Sequence, residues 1–226
     1  MDTDLLIDSI DVIKYKDIIN YKKEEKENII VEEMTLKEKI NGFDKGKYIS
    51  ITFDNIDINL SSIFSDALKK FYKKKYKNIL VCGLGNRNII CDALGPLSLE
   101  KILSPRLKTL EPSVYGLTGI DSLKHINAVK SIVKPDLIIL IDSLKTTYIN
   151  RLLKNIQITS SSLIRGENKI NKETFNCDTI MIGIPTIING SSINNDIEKT
   201  YFTDKDIDTK IKLLSYIISN GINNIF

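Results

Sequence analysis

The sequence predicts an α/β fold of three layers, with a mostly parallel central sheet flanked by helices. Three observations carry this. From residue 79 onward, short apolar runs alternate with amphipathic ones, the pattern of strands joined by crossover helices. The run KPDLIILID, residues 134–142, is continuously apolar from Leu137 to Ile141, and Pro135 bars a helix at its start, as in a strand covered on both faces. The run NILVCGLG, residues 78–85, is equally apolar and ends on glycines. Of the 226 residues 42% are hydrophobic, enough for one core, and no repeat or low-complexity linker interrupts the pattern, so one domain over residues 1–226 is expected.

In chain order, residues 14–28 (KYKDIINYKKEEKEN) are strongly charged and read as an exposed helix or a mobile segment. IIVEEMTL alternates enough to be a strand. DKGKYISITF reads as a turn and a strand, with Tyr48, Ser50 and Thr52 on one face and Ile49, Ile51 and Phe53 on the other. SSIFSDALKKFYKKKY reads as a helix: Ser61 or Ser62 caps it, Ile63, Ala67, Leu68 and Phe71 make its stripe, and lysines crowd its last turns. After the strand NILVC, a helix begins near Ala93 or Leu94. Residues 113–117 read as a short strand ended by Thr118 and Gly119, and residues 122–133 as a helix with a stripe of Leu123, Ile126, Val129 and Val133. SLKTTYINRLLKN after Asp142 reads as helix, IQIT and DTIMIGIPT as strands. A terminal helix starts at Thr203 or Asp204 as cap and stops at Gly221.

Composition excludes several classes. There are 32 basic and 29 acidic residues, a net charge of +3, without the basic excess that marks a nucleic-acid footprint. The start, MDTDLLIDSID, lacks the basic and apolar regions of a secretory signal. No apolar run approaches the roughly 20 residues of a membrane helix. A soluble, cytoplasmic protein with no membrane and no direct nucleic-acid partner is expected. Cys82, Cys91 and Cys177 form no CxxC pair and read as buried reduced thiols rather than zinc ligands or a disulfide framework. The single histidine, His125, falls inside an amphipathic helix without an evident orienting acid. It therefore makes neither a nucleophile pair with Cys91 nor a metal set. The sequence calls for no metal and no cofactor.

The chemistry centres on GLGNRNIICDALGP, residues 83–96. GLGNRN has G-x-G without a third glycine at the dinucleotide spacing, and without the lysine and hydroxyl residue of a P-loop. A phosphate cradle is thus not indicated. Instead two strand ends carry an acid: Asp92 lies in the loop after residues 79–82, and Asp142 directly follows residues 137–141. If both strands are parallel neighbours, their carboxylates converge on the carboxyl edge of the sheet, where open α/β sheets place their sites. Two close carboxylates share a proton, so one can activate water while the other polarises a carbonyl or protonates a leaving amine. An aspartate after a strand is also a common helix N-cap, and both are followed by helix-like sequence; that reading stays open for each. Gly83 and Gly85 would let a substrate backbone approach, or simply make a tight turn. Asn86 could donate to a substrate carbonyl, and Thr118 and Gly119 would line the same edge.

Taken in order, TDL (residues 3–5), GKYISI, GLGN, DALGP, a TGI turn, KPDLIILID, NIQI, IGIPT and FTDKDID resemble the germination proteases of endospore-forming bacteria over most of the chain. The resemblance implies an atypical aspartic endopeptidase with Asp92 and Asp142 as the catalytic pair. It also implies a sheet similar to that of hydrogenase-maturation peptidases, a homotetramer, and synthesis as a zymogen. The substrates it implies are small acid-soluble spore proteins, degraded during germination in the spore core. Departures are visible. Family members are longer between IGIPT and the terminal helix, and in the loop after NIQI. After Asp142 the family's Ala-Leu-Ala is Ser143, Leu144 and Lys145; a common arginine is Thr147, while Arg151 matches. Only two residues precede TDL, so no long removable propeptide is expected. A shortened relative could also be an inactive binding or assembly module in the spore, or a processing peptidase for another protein.

Overall fold

The computed structural model describes residues 3–26, 28–73, 75–165, 168–194 and 200–226. A short helical turn, α1 (Leu6–Ser9), precedes three strands, β1 (Ile19–Lys26), β2 (Ile29–Leu36) and β3 (Gly46–Phe53). Helix α2 (Asn59–Lys69) leads to β4 (Ile79–Gly83), α3 (Leu94–Leu99), β5 (Leu107–Leu110), α4 (Tyr115–Thr118), α5 (Ser122–Val133) and β6 (Leu137–Thr146). Then come β7 (Asn155–Thr159), the hairpin β8 (Ser162–Arg165) and β9 (Asn168–Asn171), α6 (Lys172–Phe175), β10 (Asp178–Asn189), β11 (Tyr201–Phe202) and α7 (Ile207–Asn223).

Among the described residues, nine strands form one mixed sheet in the order β1-β2-β3-β7-β10-β6-β4-β5, with β11 added to β10. Its core strands β10, β6, β4 and β5 are parallel, which is the expected three-layer α/β arrangement. The other half is antiparallel, from β1 through β2, β3 and β7 to β10. Alternation along β6 assigns the two faces. Leu137, Ile139 and Ile141 pack with Phe64 of α2, Leu94 of α3 and Leu214 of α7. Ile138, Leu140 and Leu144 pack with Ile126 of α5, Phe175 and Leu5. A third cluster lays Leu6, Ile10 and Phe43 over Tyr48. The Tyr48 and Ser50 face of β3 is therefore buried, although alternation alone had only separated it from the isoleucine face. No helix among the described residues is long and apolar enough to cross a membrane.

Five local expectations change. The charged stretch after residue 14 is neither helix nor mobile over residues 19–26: it is the edge strand β1, exposed along nearly its whole length. An edge needs no second apolar face, charged side chains suit it, and Lys23 pairs with Glu25 two positions on at 3.4 Å. Residues 113–117 are not a strand: Ser113 has φ +60 and the chain turns into α4, while the strand beside β4 is β5, six residues earlier than expected. SLKTTYINRLLKN is not a helix, because β6 continues through Thr146 against β10 and only a turn at Ile149–Arg151 comes after it. The first amides of α2 are held by the carboxylate of Asp57, just ahead of the N-cap position Ile58, which accepts from Asn59 and Leu60 at 2.8 and 3.3 Å, rather than by Ser61 or Ser62. Gly221 does not stop α7 but lies within it, where a Cβ would stand 2.3 Å from the ring of Phe64. The shortened loop after NIQI holds the β8–β9 hairpin; Gly166 and Glu167 within it lie outside the described residues, as does Glu27 of the charged stretch.

Candidate active site

The turn after β4 is built to bring chain against chain. The Leu84 amide donates to the Ile141 carbonyl at 2.8 Å, extending the parallel rung that pairs Gly83 with Ile141. Gly85 then takes φ +115, and a Cβ there would lie 1.9 Å from the Asp92 carbonyl oxygen. Only glycine combines that conformation with that approach. The Asn86 amide donates to Asp92 Oδ2 at 2.7 Å, and the Asp92 amide donates to the Ile89 carbonyl at 2.8 Å. The loop so closes on the aspartate at its end. α3 begins at once, and its Gly95 is wedged backbone to backbone: a Cβ there would meet the carbonyls of Leu84 at 2.4 Å and Ile141 at 2.6 Å. The glycines at 83, 85 and 95 thus serve the protein's own main chain.

Asp142 stands one residue beyond Ile141, inside β6, opposite Gly183 of β10. It is fully buried, and its Oδ1 accepts from the Ser143 amide at 2.9 Å. A carboxyl group held away from water requires such partners. Asp142 caps no helix, because β6 runs on past it.

A cavity of about 310 Å³ opens at this carboxyl end of the parallel strands. Asp4, Asp92, Ser143, Lys145, Thr186 and Tyr201 are among its walls. Asp92 borders it directly, whereas Asp142, the residue before Ser143, is not among the described residues that line it. Asn86, by its amide, holds the carboxylate that faces the cavity, while its own Oδ1 accepts from the Asn88 amide at 3.0 Å. Thr118 and Gly119 sit in the exposed α4 turn and are not among the described residues that line the cavity. A larger hollow, of about 600 Å³, lies elsewhere between Lys39, Asp44, Lys45 and Ser161 and holds neither of the two acids.

Asp4 reaches the same cavity without having been singled out as a site residue. Its amide donates to the Lys145 carbonyl and its Oδ2 accepts from the Lys145 amide, both at 2.8 Å. The N-terminal segment thus lies along β6 where β4 has ended. A pairing across 141 residues has no local periodicity to betray it; the acid ahead of the apolar Leu5 and Leu6 was the one available signal.

The cysteines are free, Cys82 buried and Cys91 and Cys177 half-buried, so only the first is as enclosed as expected. Burial pushes the Cys91 thiol up, and the neighbouring Asp92 charge adds to this, which disfavours a thiolate nucleophile. His125 is half-buried in α5 and its Nδ1 lies 3.0 Å from the Pro112 carbonyl. Among the described residues, no group of three or more His, Cys, Asp or Glu could hold a metal ion.

Comparison with known proteins places the chain in a family. The germination protease family model matches residues 9–109 and 106–202. The germination protease of Clostridium tetani is 28% identical over 79% of this chain and 77% of its own length. That of Caldanaerobacter subterraneus is 25% identical over 98% of this chain and 92% of its own. That of a Geobacillus strain is 33% identical, over 59% of this chain and 42% of its own length. Among solved structures, a NiFe hydrogenase maturation protease, HycI from Thermococcus kodakarensis, aligns with a TM-score of 0.46 and 18% identity over 70% of this chain and 99% of its own. With most of its length matched by that family model, the chain belongs to the germination protease family, a family of peptidases.

Proposed function

We propose that this chain is an endopeptidase, formed as a single peptidase domain, that hydrolyses peptide bonds with Asp92 and Asp142 acting on a bound water. The observation that supports it most is the common edge: both acids come after the paired ends of β4 and β6, and Asp92 borders the cavity that opens there. One carboxylate takes a proton from water as it attacks the peptide carbonyl. The other, protonated, donates to the carbonyl oxygen as charge develops there. Collapse of the tetrahedral intermediate returns a proton to the leaving amine. The two acids titrate as a pair, so base and acid are roles of the pair. Asn86 would donate to the substrate from its carboxamide nitrogen, and the turn at Gly83 and Gly85 would contribute by fixing that residue beside the cleft. Thr118 and Gly119, on α4, would meet only those parts of a substrate that extend beyond the cavity.

Membership of the family supports small acid-soluble spore proteins as substrates, a spore-core location and a homo-oligomer, a tetramer by resemblance. The test is direct. Recombinant protein is incubated with purified small spore proteins and the fragments are weighed by mass spectrometry. Discrete internal cuts are expected from the wild type, and none from Asp92→Asn or Asp142→Asn with unchanged circular dichroism. Undiminished cleavage by either variant would overturn the mechanism; absence of cuts by the wild type would favour a binding module.

A further inference from the structure

The IGIPT stretch (residues 182–186) contains a residue to which the mechanism above gives no part. β10 pairs in register with β6 up to Pro185 opposite Leu144, then resumes with Ile187 opposite Lys145. Thr186 is the extra residue of this bulge and has no opposite number on β6. Bulges commonly re-aim a side chain at the end of a ladder. Here the re-aimed hydroxyl is buried, and its Oγ1 donates to the Cys91 carbonyl at 2.6 Å. Cys91 is the residue immediately before Asp92, and Thr186 borders the same cavity as Asp92. The Thr186 carbonyl is itself held by the Thr203 hydroxyl at 2.7 Å, so the bulge is anchored from behind by the segment leading into α7.

We propose that Thr186 is a positioning residue for Asp92: its hydroxyl fixes the Cys91 carbonyl and so sets where the Asp92 carboxylate stands relative to β6. The inference rests on the reading of Asp92 as a reacting group only for its effect on rate. The loop between Gly83 and Asp92 is closed by its own short-range bonds and tied to β6 at Leu84, which leaves the tie of its Asp92 end to β10. The Thr186 hydroxyl supplies that external tie within one residue of the carboxylate. Placement errors near 1 Å at a reacting group reduce rates by about a hundredfold.

The test pairs Thr186→Val, which keeps the shape and removes the donor, with Thr186→Ser, which keeps the donor. Cleavage of a purified small spore protein and hydrogen exchange of the Asn86 amide, bonded to Asp92, are both measured. Thr186→Val is expected to lower kcat about tenfold to a hundredfold with KM within about twofold, and to speed Asn86 exchange about tenfold. Thr186→Ser is expected to stay close to the wild type in both. Wild-type kcat and exchange in Thr186→Val would overturn the proposal. So would equal losses in both variants, which indicate packing of the methyl group instead. If Asp92→Asn remains active the proposed mechanism falls, yet the exchange comparison still decides whether Thr186 holds the Asp92 loop.

Discussion

Gly85→Ala perturbs fold and site together at a point where the geometry sets the size of the effect. A Cβ at this position would stand 1.9 Å from the Asp92 carbonyl oxygen and 2.9 Å from its Oδ1. An ordinary close contact needs about 3.2 Å, so the main chain of Asp92 must retreat by about 1.3 Å. It has little room to do so: α3 begins two residues later, and Gly95 is already in backbone contact with Leu84 and Ile141. The φ of +115 at residue 85 adds strain for any L side chain, on the order of 1–3 kcal/mol. Together these predict a loss of about 3 kcal/mol, read as a fall in Tm of about 6–12 °C for a chain of this size. Cleavage should drop at least about a hundredfold as the Asn86–Asp92 bond breaks. Gly116→Ala is the control. Nothing lies within 4 Å of a Cβ there, and it should alter stability by less than about 0.5 kcal/mol. Thermal melts and fragment analysis on the three proteins decide the matter. A Gly85→Ala variant melting within about 2 °C of the wild type and cleaving at full rate would refute the account of the turn.

Two further effects arise from packing and charge. Gly221→Ala would push a Cβ to 2.3 Å from Phe64 Cδ1, and Phe64 is fully buried between α2 and α7; overpacking should outweigh the better helix propensity and cost about 1–2 kcal/mol in urea unfolding, whereas a gain in stability would show that the ring gives way. Asp178 is held below its ordinary 3.8 first by the Tyr76 hydroxyl and then by Lys75, so its contribution is present above the unfolded value and is lost as pH falls through the lower folded one. The Tm gap between wild type and Asp178→Asn should therefore be widest near neutrality and close in acid below about pH 4; a gap constant across that range would contradict the assignment.

Much of this was legible because the relevant forces are local. The continuous apolar runs before Gly83 and Asp142 identified the two central parallel strands, and the stripe at Leu123 and Ile126 identified α5. Two of the failures, at SLKT and at Gly221, come from packing against distant chain. SLKT after Asp142 has helix-compatible spacing, yet residues 143–146 alternate half-buried and buried against β10. That period of two was present in the sequence, but too short to outweigh the helical spacing of residues 147–154. β1 has no apolar face because edges need none. Gly221 resembled a helix stop because glycine at a C-terminus is common, whereas its neighbour Phe64 is 157 positions away in the sequence. The two acids were visible as residues that follow apolar runs, although β6 continues past Asp142 to Thr146. Asp4 and Thr186 were not, since the bonds that Asp4 makes with Lys145 and Thr186 with Cys91 join positions far apart in the chain.

The glycine turn and the acids answer to different perturbations. Leu84 bonded to Ile141, Gly83 against Gly95, and Gly85 against Asp92 form a frame made almost wholly of main chain. Main-chain contacts do not depend on carboxyl chemistry. On the proposed mechanism, replacing Asp92 or Asp142 by asparagine should therefore leave the frame standing and remove only proton transfer. Replacing Gly83 or Gly85 by alanine moves the frame and carries the acids with it. A Cβ on Gly83 would lie 2.4 Å from the Gly95 carbonyl oxygen, a backbone neighbour with no rotamer to escape into. The asparagine variants should thus lose cleavage at unchanged Tm, while the alanine variants lose both together. If instead an asparagine variant melted as early as Gly85→Ala, the carboxylates would be structural members of the frame, and the water-activating pair would have to be abandoned.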